Sequence, residues 1–130
     1  MKKSLLLLAA LACTGAIAQE KQVWACQQTD STMLEWENGS WNSYRVAPVP
    51  LLLTIDGLNS RVKEGDKESE YACSILVPID KISCLDITQS SHIYLDRITG
   101  KMGTSLLYGA TLTGDRRDTV SAHLYNCTKF

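Results

Sequence analysis

The stretch Tyr71-Ala72-Cys73-Ser74-Ile75-Leu76-Val77-Pro78-Ile79-Asp80-Lys81-Ile82-Ser83-Cys84 decides the fold class. Tyr71, Cys73, Ile75 and Val77 recur at every second position, so they share one face of an extended strand. Val77-Pro78-Ile79-Asp80 suits a β-turn with proline at its second position. Pairing Val77 with Asp80 sets Cys73 opposite Cys84, which predicts a hairpin closed by a local disulfide. Cys26 and Cys127 then remain to join the first and last strands. Four cysteines permit three connectivities, and this one is the expected pairing. A Cys26–Cys127 bridge closes a loop of about a hundred residues, a crosslink worth ~4–5 kcal/mol in the chain-entropy model. It also ties the two chain ends together, as a closed or nearly closed barrel requires.

Disulfides need an oxidising compartment, and the start of the chain supplies a route to one. Met1-Lys2-Lys3 precedes an apolar run from Leu5 to Cys13, followed by Ala16-Ile17-Ala18. A charged start, a greasy middle and a small-x-small cut site are the three parts of a secretory signal. The apolar run is too short to span a bilayer, which takes roughly 20 apolar residues. Residues 1–18 therefore read as a signal peptide of bacterial type and residues 19–130 as a single β domain, periplasmic or secreted. No transmembrane segment is expected once the signal is removed. Leu11-Ala12-Cys13 offers a second reading of the same segment, as the end of a lipoprotein signal with Cys13 acylated. Its departure from that pattern is Ala10, where the lipoprotein signal prefers leucine.

The chain has 13 basic and 14 acidic residues. Removal of Lys2 and Lys3 leaves 11 against 14, a net charge near −3. A mildly acidic domain without a basic stripe is not built for nucleic acid. One domain of this size buries a real core, so the disulfides reinforce the fold and do not substitute for a core.

Beyond the signal, helical periodicity is scarce. Short alternating runs bounded by Gly, Asn, Asp and Pro predict strands near 21–27, 32–37, 40–46, 50–56, 60–63, 70–77, 82–88, 92–96, 101–112 and 119–127. The expected fold is all-β, a small antiparallel barrel or curved meander of about eight to ten short strands with two disulfides. Gly103 and Gly109 would mark bends or bulges in the long strand from residue 101. Glu64-Gly65-Asp66-Lys67-Glu68-Ser69-Glu70 reads as a solvated acidic loop, without the ligand spacing of a calcium loop. Val120, Ala122 and Leu124 face one side of the last strand, and His123, Tyr125 and Cys127 the other.

Trp36-Glu37-Asn38-Gly39-Ser40-Trp41 carries the best local turn signal. Asn-Gly is the favoured centre of a type I′ turn, because both residues tolerate positive φ. Glu37 then faces Ser40, and Trp36 faces Trp41 in a non-hydrogen-bonded pair, where side chains come closest. Edge-to-face packing of the two indoles adds ~1 kcal/mol. The segment resembles the designed tryptophan-zipper hairpins. A hairpin staple is the expected role, with stacking on a sugar ring as the functional alternative.

No motif specifies a reaction. His92 and His123 sit on predicted strands without a third ligand at metal spacing. A Gly-X-Ser-X-Gly elbow is absent, and four pairing cysteines leave no free thiolate. Nothing calls for a cofactor, a resident metal or a catalytic set. Asp115, Arg116 and Arg117 form a charged tip between the last two strands. Arginines there can form bidentate pairs with carboxylates in a partner's acidic cleft. Lys101 near the preceding turn would extend that partner-binding surface.

Trp24-Ala25-Cys26, the Trp36–Trp41 hairpin, Tyr94-Leu95-Asp96 through Thr99-Gly100 and the Cys127-Thr128-Lys129-Phe130 end together resemble a group of short exported proteobacterial proteins of unassigned activity. The resemblance spans most of the mature chain and transfers no catalytic residue. The architecture is also similar to that of small periplasmic lysozyme inhibitors, without their inhibitory loop motif. The functional expectation is a non-enzymatic periplasmic binding protein, an inhibitor or immunity-type protein acting on a cell-wall hydrolase. The alternative is a lipocalin-like carrier of a small apolar ligand inside the barrel.

Overall fold

A computed structural model describes residues 20–86, 91–108 and 119–130. Residues 1–18, expected as a signal and including Cys13, and Asp115, Arg116 and Arg117, expected as a charged tip, lie outside the described residues. Nine strands follow in chain order: β1 (Gln22–Glu37), β2 (Ser40–Tyr44), β3 (Leu51–Ile55), β4 (Ser60–Glu64), β5 (Lys67–Leu76), β6 (Lys81–Asp86), β7 (Ser91–Asp96), β8 (Lys101–Tyr108) and β9 (Thr119–Lys129). All neighbours are antiparallel, in the order β2-β1-β3-β4-β5-β6-β7-β8-β9, and β9 pairs again with β1. Eight strands thus close into a barrel, and β2 hangs outside it on the far half of β1. Closure removes the open edges that a flat meander would expose.

The hairpin expected at residues 71–84 is present in the expected register. Cys73 faces Cys84 and Leu76 faces Lys81, with residues 77–80 as the turn and a cis Val77–Pro78 bond. Both disulfides form as expected, Cys73–Cys84 and Cys26–Cys127. Cys26 and Cys127 are direct cross-strand partners of β1 and β9. The second bridge therefore sits on the seam where the first and last strands close the barrel.

Alternation along each strand sends one set of side chains inward. Leu53, Ile55, Ile82, Cys84, Ile93 and Leu95 are fully buried, and Trp24, Met102 and Tyr125 nearly so. The Met102 sulfur lies 3.9 Å from Cys26 Sγ and 4.0 Å from Cys127 Sγ, so the seam disulfide packs on the core. Trp24, Ile55, Ile82, Leu95 and Met102 fill the end of the barrel where β1 begins and β9 finishes. Two neighbouring turns at that end are clamped by an ion pair of Arg97 with Asp80.

Several elements differ from the expected boundaries. The strands read at 21–27 and 32–37 are one strand, β1, with a register shift between Gln28 and Asp30. Thr29 is the extra residue, and it switches which face of β1 points inward. Gly103 makes no bulge: β8 pairs with β7 and β9 without a break. A Cβ on Gly103 would lie 3.8 Å from Leu124 Cδ2 on the outer face, an ordinary contact. Gly109 lies outside the described residues. The acidic stretch 64–70 is mostly strand, with only Gly65 and Asp66 in the turn between β4 and β5. Cross-strand charge complementarity favours this: Glu64 faces Lys67, and Arg61 pairs with Glu68 at 3.3 Å.

Candidate ligand-binding site

Among the described residues, the opposite end of the barrel is open. Here β4 ends, β5 begins, β6 ends, β7 begins, β8 ends and β9 begins, and their inward side chains surround a cavity of about 510 Å³. An eight-stranded barrel is just wide enough to be filled by side chains or to hold one small ligand. This chain does both: large apolar residues plug one end, and a mixed apolar and polar lining leaves space at the other.

The lining has two characters. Leu51, Val62, Ile93 and Leu106 supply apolar wall. Tyr71, Ser91, Thr104, Ser121, His123 and Tyr125 supply hydroxyl and imidazole groups. Strand register sets these beside one another: Ile93 faces Thr104, and Thr104 faces His123. The Tyr71 hydroxyl donates to Ser91 Oγ at 3.0 Å. Tyr125 is 5% exposed, with its ring 6.5 Å from that of His123. Glu64 and Lys67 stand exposed at the rim.

Burial keeps the inner groups uncharged. It pushes the Tyr125 phenol up to about 12, helped by the Glu64 carboxylate. The Tyr71 phenol is also raised, again chiefly by burial. Burial pushes the His123 imidazole below the ordinary histidine range, against the pull of Glu64. At neutral pH both phenols and the imidazole are neutral, and the formal charges of the lining are those of Glu64 and Lys67.

Two buried nitrogens have no hydrogen-bond partner among the described residues, His123 Nδ1 and Gln28 Nε2. Gln28 faces Tyr125 across β1 and β9, and its Oε1 accepts from the Val49 N–H at 3.4 Å. Buried polar atoms are normally satisfied by protein, water or ligand. His123 lines the cavity, so a molecule there can reach its side chain.

The far half of β1 stands at this mouth. Ser31 and Met33 lie beside His123 and Ser121 of β9. The hairpin it forms with β2 has the expected geometry: Asn38 and Gly39 at φ 52° and 83°, Trp36 opposite Trp41. The two indoles meet edge-to-face at 5.4 Å and 71°. Trp41 remains 40% exposed, so the pair staples a projecting hairpin and does not plug the core.

Lys101 opens β8, at the opposite end of that strand from Tyr108, after which the segment 109–118 begins. It is exposed beside the β7–β8 turn, and so belongs to the closed end of the barrel and not to the mouth. His92 lies on the outer wall, its Nε2 2.8 Å from Ser83 Oγ and its ring against Tyr94. That is the spacing of a nucleophile and its base, but neither residue lines the cavity. Among the described residues no group of three or more His, Cys, Asp or Glu could hold a metal ion.

The cavity residues were hidden by the composition of β9. Its outward face carries the apolar Ala122 and Leu124, with Leu124 57% exposed, while Ser121 and Tyr125 are each 5% exposed. Cys127 was the available signal. A cysteine that bridges to the first strand across a barrel seam points inward, and its alternates Tyr125, His123 and Ser121 point with it. Compared with protein-family models, curated proteins and solved structures, the chain matches none.

Proposed function

We propose that the chain is an exported, non-enzymatic binding protein that takes one small uncharged ligand into the mouth of its barrel. The observation that carries this reading is the cavity of about 510 Å³, open among the described residues, whose wall sets apolar side chains beside the hydroxyls of Tyr71, Ser91, Thr104 and Ser121. That volume falls within the range of small-molecule sites, ~300–1,000 Å³. The ligand has an apolar body, for Leu51, Val62, Ile93 and Leu106, and a hydrogen-bonding edge, for His123 and the neighbouring hydroxyls. A charged ligand would lose its hydration against neutral phenols and imidazole. The site thus favours a more polar molecule than the small apolar ligand expected from the sequence. Export is supported by the signal-like residues 1–18 and the two disulfides. Inhibition of a cell-wall hydrolase through Asp115, Arg116 and Arg117 draws on no described residue.

The neutral fluorescent amphiphile N-phenyl-1-naphthylamine tests the site. The disulfide-bonded protein should raise its emission, and His123→Trp, which fills the cavity, should lower the affinity at least tenfold. Native mass spectrometry of protein taken from cells should show a bound small molecule that His123→Trp loses. Equal dye binding by both forms, with no bound molecule in either, would overturn the reading.

A further inference from the structure

Among the described residues β2 pairs only with β1, and its other edge is free. The phase of its hydrogen bonds follows from the turn. In a two-residue hairpin loop the flanking pair, Glu37 and Ser40, exchanges hydrogen bonds, and the pairs then alternate. Trp36–Trp41 and Leu34–Ser43 are therefore non-hydrogen-bonded pairs. The backbone N–H and C=O of Trp41 and Ser43 consequently point away from β1. Natural edges are guarded by lysine, proline, bulges or shielding loops. Ser40-Trp41-Asn42-Ser43-Tyr44 has no charge and no proline, and four of its five residues are exposed.

We propose that this edge pairs with the same edge of a second copy of the chain, antiparallel about a two-fold axis through Asn42. The phase of the free groups admits a second copy, and the side chains that this register brings together favour one. With Asn42 facing Asn42 of the other copy, Trp41 faces Ser43 and Ser43 faces Trp41. Every outward N–H and C=O on both copies then has a partner, which is the self-complementarity a two-fold interface demands. The two Asn42 side chains meet as a non-hydrogen-bonded pair, amide against amide. Ser40 faces Tyr44, and Gly39 faces Arg45, so no like charges oppose. The two Trp41 side chains become diagonal neighbours on one face, ~7–8 Å apart and within aromatic reach. Each already packs on its own Trp36 at 5.4 Å, so the interface joins four indoles into one cluster. The dimer would continue the sheet of each barrel through β2 and place the two cavity mouths on either side of the shared hairpins.

Sedimentation equilibrium of the disulfide-bonded protein from about 1 µM to 1 mM covers the range in which small interfaces associate. The wild type should shift from monomer to dimer across it. Asn42→Asp and Asn42→Lys place like charges face to face on the axis, so each alone should stay monomeric. An equimolar mixture should regain a dimer containing one of each. Ser43→Pro removes an N–H that points away from β1, so it should also stay monomeric while its unfolding midpoint in urea is kept. A wild type monomeric at every concentration overturns the proposal, even if it captures an added extended peptide on β2. So does a dimer that survives both Asn42 changes, or charge variants that fail to associate when mixed.

Discussion

Gly100 shows how much one residue can decide in this barrel. Its φ of 69° lies in the left-handed region, and its N–H donates to the Asp96 carbonyl at 2.9 Å. Its own carbonyl accepts from the Cys127 N–H at 2.7 Å, tying the β7–β8 turn to the last strand. A Cβ at this position would overlap the Cys127 carbonyl oxygen, a backbone atom that cannot swing aside. Gly100→Ala should therefore cost ~3 kcal/mol or more, beyond the ~1–2 kcal/mol of the dihedral alone. Gly39→Ala, with nothing within 4 Å of its Cβ, should cost only the dihedral. Urea unfolding of the two variants separates clash from conformation. Asp96 prepares the same turn: its carboxylate accepts from the Ile98 and Thr99 N–H groups, and those bonds hold it below the usual carboxylate range. His123 makes a different residue-scale prediction. Its folded-state pKa is depressed, so the unfolded chain takes up a proton first. The stability this group contributes is complete above the ordinary histidine value and is lost as pH falls through the folded value. His123→Phe should flatten the decline in urea midpoint between about pH 7.5 and 5; an unchanged slope would place that decline on other groups.

At the scale of the element, turns were more legible in the sequence than strand extents. Asn38-Gly39 and residues 77–80 are read correctly because their chemistry is local: positive φ and a proline. The register of β5 with β6 follows from the turn alone, and it placed a disulfide. β1 was not legible, because its continuity depends on β9. Residues 28–31 carry Gln, Thr, Asp and Ser, which resemble a loop, yet the partner strand holds them extended around the Thr29 bulge. The strand character of residues 67–70 is likewise a tertiary effect, imposed by pairing with β4. The cavity was the least legible part. Its wall is assembled from single inward positions on most of the strands, and no local pattern reveals which hydroxyls will share a space. Burial also inverts on β9, where the apolar Leu124 faces out and the polar Ser121 faces in.

For the whole molecule, the two crosslinks are unequal. Cys73–Cys84 spans 11 residues within one hairpin, and Cys26–Cys127 spans 101 across the barrel seam. In the chain-entropy model these are worth ~3 and ~4.7 kcal/mol. Replacing the Cys26–Cys127 pair by serines should therefore destabilise the protein by ~2 kcal/mol more than replacing Cys73 and Cys84. Equilibrium unfolding under non-reducing conditions checks the order, and equal losses would mean that the seam is already constrained in the unfolded chain. The seam has a consequence for how the chain may be written. Trp24 pairs with Lys129, and the Phe130 N–H donates to the Val23 carbonyl at 2.9 Å. Only a short linker would be needed to fuse residue 130 to residue 21, and the backbone could then be opened at the exposed Gly65-Asp66 turn. Such a circular permutant would begin with β5 and finish with β4, while every strand kept its neighbours. The order of the genetic text is thus separable from the order of the ring.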